Sequence, residues 1–161
     1  MIVAISWVRD EADIVGDIVG HMVDQCDRVI VADHGSTDGT RDILADLPIT
    51  VIDDPVPTFH QSQIMSELAQ WAVDDGADLI VPFDADELWG GLDQFVVRPG
   101  VWSVPVYDHV PTSLDDPTLG PILRQQWRQR DPAIARKVMF TPQRLNRLST
   151  GNHSVDGDFG Q

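Results

Sequence analysis

The chain has 161 residues and a mass of 17.9 kDa, with 42% apolar and 23% charged residues, the composition of a globular domain with room for a substantial core. Its 26 acidic against 11 basic residues give a formal net charge of -15. That field repels phosphate backbones and anionic lipid, which argues against bare nucleic-acid or membrane-surface binding. A phosphate-bearing ligand would need local positive charge from clustered Arg or Lys, a helix N-terminus or a bound cation.

The acid is almost all Asp, with Glu only at positions 11, 67 and 87, and the single lysine is Lys137. One cysteine, Cys26, excludes an internal disulfide, so no oxidising compartment is needed. Met1 to Val8 is apolar but short, lacks a basic leader and runs straight into Arg9-Asp10-Glu11. It reads as a buried strand rather than a signal peptide. No apolar run approaches the roughly 20 residues of a membrane helix, so the expected location is cytoplasmic.

In chain order, Ile2 to Trp7 predicts a first strand. Helical spacing begins at Asp10, with Ile14, Ile18, Met22 and Cys26 on one face and Val15, Val19 and Val23 beside them. Arg28 to Ala32, rich in β-branched residues, predicts a second strand that ends in Asp33-His34-Gly35-Ser36-Thr37-Asp38-Gly39-Thr40. A short helix over Thr40 to Leu47 is stopped by Pro48, and Ile49 to Ile52 is a third strand. After the Asp54-Pro55-Val56-Pro57 loop, His60 to Val73 predicts a helix closed by Gly76. Asp78 to Phe83 is a fourth strand, delivering Asp84-Ala85-Asp86-Glu87.

The second half is less regular. Val101 to Tyr107 reads as a strand whose Pro105 assigns it to an edge or a bulge. Asp108 to Pro121 reads as loop, Arg124 to Arg136 as basic and partly helical, Lys137 to Phe140 as a strand and Gly151 to Gly157 as a polar turn. Seven of the 11 basic residues lie between Arg124 and Arg147. No repeat, low-complexity tract or domain boundary is visible, so residues 1–161 read as one domain.

Strand–helix alternation with short links predicts an α/β fold, a mostly parallel sheet with helices on both faces. In such sheets ligands bind beyond the C-terminal strand ends. Three strand ends are polar: Arg9-Asp10-Glu11, Asp33 to Asp38 and Asp84 to Glu87. Asp84 and Asp86, at i and i+2, can face one side and grip a hard divalent cation. The bare pattern decides little in an Asp-rich chain, since Asp156-Gly157-Asp158 repeats it; position after an apolar strand favours the first copy. Gly35 and Gly39 permit tight turns, and Ser36, Thr37 or Asp38 can cap the next helix. Asp33 is not needed for that turn and could accept hydrogen bonds from a base or ribose.

Taken together, Val8-Arg9-Asp10-Glu11, Asp33 to Thr40 and Phe83-Asp84-Ala85-Asp86-Glu87-Leu88-Trp89 resemble, in order and spacing, the family 2 glycosyltransferases of GT-A fold. That fold is a Rossmann-like three-layer α/β/α sandwich. The resemblance covers roughly the first 90 residues. It implies a nucleotide-binding half over 1–90 and a smaller acceptor- and metal-side half over 91–161. It also implies a UDP- or GDP-linked nucleotide-diphospho-sugar donor and an acceptor hydroxyl of unknown identity. Asp33 would contact the nucleobase, with Arg9, Asp10, Glu11, Gly35 and Ser36 lining the same pocket. Asp84 would lie near ribose and metal, and Asp86 would ligate Mn²⁺ or Mg²⁺. His153 would be a further metal ligand, one that suits Mn²⁺ better. Lys137 or a nearby Arg would face the diphosphate.

His21, His34, His60 and His109 fall in no ligand pattern. The chain is short for this family, so a partner chain could supply an acceptor site. No residue stands out as the general base; Glu87 and Asp108 are candidates by type. Two alternatives remain. One is a haloacid-dehalogenase-like phosphatase with Asp84 as nucleophile and Asp86 as general acid, although in that family the motif follows the first strand. The other is a GT-A domain that binds nucleotide sugar without transfer.

Overall fold

The computed structural model describes residues 1–110, 112–116, 118–120, 123, 128–134, 136–145 and 147–156. Its main sheet has the order β3-β2-β1-β4-β6-β5. The strands are β1 (Ile2–Val8), β2 (Arg28–Asp33), β3 (Thr50–Asp53), β4 (Leu79–Pro82), β5 (Val101–Pro105) and β6 (Arg136–Phe140). β3, β2, β1 and β4 run parallel, while β6 and β5 add an antiparallel edge. Helices α1 (Val15–Gln25), α2 (Thr40–Ala45) and α3 (Gln61–Asp74) join the parallel strands. A small hairpin, β7 (Arg147–Leu148) with β8 (Val155–Asp156), follows.

The strands are apolar on both faces because each face meets a layer. Ala4, Val8, Val29, Val31, Leu79, Val81 and Met139 pack with α1 residues Val15, Ile18, Val19 and Met22 and with Leu44 of α2. The alternate residues Val3, Ile5, Ile30, Ala32, Ile80, Val138 and Phe140 pack with Met65, Leu68, Ala69 and Ala72 of α3. This period-two division of one run between two cores is what a doubly covered sheet requires. Leu148 and Val155 of the hairpin join the α3 core.

Helix α1 begins five residues later than the spacing predicts. Asp10 has φ 54, in the left-handed region. The N–H groups of Asp10, Glu11 and Ala12 donate to Ser36 Oγ, Thr40 Oγ1 and Asp38 Oδ2 at 2.9, 2.8 and 3.0 Å. Those donors are spent on the neighbouring loop. α3 starts at Gln61, with His60 as its N-cap residue, and β5 ends at Pro105 on the sheet edge, where a missing N–H costs nothing. The segment predicted as partly helical over 124–136 lies partly outside the described residues. Those described over 128–134 are irregular, apart from a bridge between His109 and Arg128. The turn over 151–157 folds as a 3₁₀ turn at Thr150–Asn152 followed by β8, with Gly157 outside the described residues. Among the described residues, no helix is long and apolar enough to cross a membrane.

Candidate functional site

The chain runs β1, β2, β3 outward in one direction, then α3 returns it to β4 on the other side of β1. The direction of winding therefore reverses between β1 and β4. Beyond the C-terminal ends of such a strand pair the two flanking loops diverge and leave a crevice. The loops here are Arg9 to Glu11 and Asp84 to Glu87, both singled out by the sequence. Asp33 ends β2, directly beside Val8 of β1.

The loop after β2 is fixed from both sides. Gly35 and Gly39 have φ 66 and 105, which a side-chain-bearing residue resists. Thr37 N–H donates to Asp10 Oδ1 at 2.7 Å, and Asp38 Oδ1 receives Thr40 N–H at 3.0 Å and its hydroxyl at 2.6 Å. These bonds, the Thr40 hydroxyl first, hold the Asp38 carboxyl below its usual range. Asp33 is 4% exposed. Its Oδ2 accepts Ser36 N–H at 3.2 Å, while its Oδ1 is buried with no partner among the described residues. A buried acceptor left open in this way calls for a donor.

On the β4 side, a cleft of about 730 Å³ opens between α1, the loop after β4 and β5–β6. It brings together Asp86, Glu87, Asp108 and Lys137 of the predicted residues, and adds Trp89, Tyr107 and Arg128. Arg128 stacks on the Tyr107 ring, 4.2 Å from its centroid. Arg9, Asp10, Glu11, Asp33, Gly35, Ser36, Asp84 and His153 do not line this cleft. Glu11 links the two regions. Burial, then the charges of Asp86, Asp13, Asp38 and Asp10, push its carboxyl upward, so it feels acid from both sides.

Lys137 is a buried hub on the wall of the cleft. Its ammonium bonds Asp84 Oδ2, Glu87 Oε1 at 3.0 Å and the Gly151 carbonyl at 2.8 Å. Burial alone would lower its pKa, but the bonds and charges of Asp84 and Glu87 outweigh this and raise it. Glu87 is raised by burial and by Asp84, against the opposing pull of Lys137. Asn152, buried with φ 58, donates from Nδ2 to Asp84 Oδ1 at 3.0 Å. Each oxygen of Asp84 therefore has one partner. His153 is exposed, with Nδ1 at 2.7 Å from the Arg136 carbonyl.

Among the described residues, Asp84, Asp86 and His153 do not bring three ligand atoms within 4.8 Å of one another. The Asp86 charge is felt at Glu11, which joins the two acidic loops electrostatically, and Asp86 itself is exposed. Among the described residues, three donor side chains converge in one place only, His34, Asp54 and His60. Sequence reasoning passed over these histidines, since 26 residues separate them and only the fold joins them.

No protein-family model matches the chain, and no curated protein matches it. Among solved structures it is similar to a mycobacterial protein, at 22% identity and a TM-score of 0.41 over 53% of this chain and 31% of that one. It is also similar to 4-diphosphocytidyl-2C-methyl-D-erythritol synthase, at 12% identity and a TM-score of 0.49 over 87% of this chain and 74% of that one. The class defined by the structure itself is a three-layer α/β/α protein with a mostly parallel sheet and a cleft on its β4 side lined by Asp86, Glu87 and Asp108.

Proposed function

We propose that the chain is a metal-dependent glycosyltransferase that takes its sugar from a nucleotide-diphospho-sugar donor. The observation that carries this reading is Asp33: a buried carboxylate with one oxygen unpartnered, at the strand edge where α/β sheets take ligands. A base or ribose donor would satisfy it. From there the donor would extend past Glu11 towards Asp86, with its diphosphate facing Arg128 in the cleft. Mn²⁺ or Mg²⁺ held by Asp86 and Glu11 would supply charge to offset that developing on the leaving diphosphate.

The chain's own residues carry the rest. Lys137 offsets one of the two charges of Asp84 and Glu87, so the phosphates would meet less repulsion than the sequence charge suggests. Trp89 and Tyr107 wall the cleft where a sugar would lie. Glu87 and Asp108 both line it; the Glu87 carboxyl, raised by burial, has one oxygen 3.0 Å from Lys137 Nζ and the other accepting the Asp84 N–H at 3.3 Å. Both residues are proposed as acceptor-side candidates.

Calorimetry with UDP and GDP, with and without Mn²⁺, tests this. Binding should be much tighter with Mn²⁺ than without it, and Asp86→Ala should abolish that gain. In Asp33→Asn binding should weaken about 10- to 100-fold, the worth of one charge-assisted hydrogen bond. Absence of nucleotide binding with the metal present, or affinities unmoved by both substitutions, would refute the proposal. Release of nucleoside diphosphate from the bound sugar nucleotide would separate a transferase from a domain that only binds.

A further inference from the structure

We propose that His34, Asp54 and His60 form a second metal site, for a divalent transition metal of the Zn²⁺ type, at the opposite side of the sheet edge from the cleft. His34 follows β2, Asp54 follows β3 and His60 precedes α3, so three connections meet there. One donor atom from each lies within 4.8 Å of the others. His34 Nδ1 and His60 Nε2 stand 3.2 and 3.1 Å from the same oxygen, Asp54 Oδ2. Ligand atoms about 2.0–2.1 Å from a tetrahedral ion stand roughly 3.3 Å from one another, so both separations already suit a shared metal.

The hydrogen bonding gives an independent reason. His60 Nδ1 lies 2.5 Å from the Thr58 carbonyl, which only accepts, so Nδ1 carries a proton. In the neutral ring Nε2 then presents a lone pair to a carboxylate oxygen, a repulsive contact that either a second ring proton or a bound cation relieves. A backbone carbonyl that fixes the tautomer of a ligating imidazole is the usual support of such a ligand. Asp54 Oδ2 is also oversubscribed: it accepts Trp7 Nε1–H at 2.8 Å and faces both imidazoles, while Oδ1 meets only Val56 N–H at 3.2 Å.

The surroundings suit a borderline metal rather than Mg²⁺. His34 and Asp54 are each 6% exposed, and the Trp7 ring lies 4.5 Å from His34 and 5.4 Å from Phe59, centroid to centroid. Two imidazoles and one carboxylate are a nitrogen-rich set that hard cations do not prefer. Three protein ligands leave a fourth position for water or an exogenous ligand, and His60, the most exposed of the three, lies on the open side.

The test is titration of chelator-stripped full chain with Co²⁺ as a visible-absorption probe, followed by displacement with Zn²⁺. One equivalent of Co²⁺ should give absorption bands that Zn²⁺ abolishes and excess Mg²⁺ does not. His60→Ala should weaken binding at least about 100-fold, and His34→Asn should do the same, whereas Asp86→Ala should leave Co²⁺ binding intact. Circular dichroism of each variant separates ligand loss from unfolding. Should both histidine variants unfold, imidazole nitrogen shifts of two histidines in wild-type protein on adding Zn²⁺ give the same answer. Failure of the wild type to bind, survival of binding in folded His60→Ala or His34→Asn, or loss in Asp86→Ala alone would overturn the proposal.

Discussion

Lys137 shows how one side chain can reconcile a strongly acidic chain with a buried polar centre. Its side chain is 6% exposed, and it meets two carboxylates and a carbonyl. Removing one member of a buried ion pair leaves the others uncompensated, at a cost of 3–5 kcal/mol in typical cases. Lys137→Met should therefore lower stability by about 3 kcal/mol, near the low end because Asp84 keeps 29% exposure to solvent. Urea unfolding of the two proteins measures the difference. The lysine's raised pKa also sets its pH window: its contribution is complete below the ordinary lysine pKa of 10.5 and is lost as pH rises through the higher folded value. Glu87 behaves differently. Its folded pKa is raised above 4.5, so its contribution is complete below that value and declines as pH rises through the folded pKa. Glu87→Gln should thus gain stability relative to the wild type as pH rises above 4.5, as seen by denaturation at each pH. A constant difference above that pH would show that Glu87 titrates normally.

Among the elements, the C-terminal hairpin does the least expected work. Leu148 is fully buried against α3, and its N–H donates to Ser66 Oγ at 3.0 Å. Gly151 N–H donates to Gln61 Oε1 at 2.8 Å. This docking carries Asn152 to Asp84 and the Gly151 carbonyl to Lys137. Leu148→Ala should cost about 2–4 kcal/mol. The amides of Leu148 and Ser149 should then exchange hydrogen faster while those of β1 and β4 stay protected, because the lost contact anchors a peripheral unit. Uniform acceleration throughout the sheet would mean that the hairpin is part of the global core. The first four strands and three helices are legible in the sequence because apolar runs and helical spacing are local signals. So is the edge position of β5, through Pro105. The late start of α1 is not, since it depends on side chains of residues 36–40 taking the N–H groups of residues 10–12. Nor is the pairing of Asn152 with Asp84, 68 positions apart, or the meeting of His34, Asp54 and His60. The carboxylates of the crevice could be picked out by type and strand-end position. Their partners could not, and those partners decide which carboxylates stay open.

At the scale of the whole molecule, the formal charge of -15 opposes both compaction and the approach of an anionic ligand. Local pairing relieves this only in places, as at Arg41–Asp53 and Arg28–Asp75 on the surface and at Lys137 inside. Exposed pairs of that kind contribute little individually, so the long-range repulsion persists at low ionic strength. Raising salt from about 10 mM to about 100 mM shortens the screening length from about 30 Å to about 10 Å. The melting temperature should rise over that range, because repulsion among dispersed carboxylates is screened more than the buried contacts of Lys137. Nucleoside diphosphate binding without a divalent ion should strengthen over the same range, as the ligand's approach to an acidic surface is eased. With Mn²⁺ present that gain should shrink if, as proposed, a cation at Asp86 and Glu11 offsets the nearest charge. Scanning calorimetry and nucleotide titration at the two ionic strengths read both effects. Affinity that falls with salt in the absence of metal would instead assign control of binding to Arg128, over the summed acidic field.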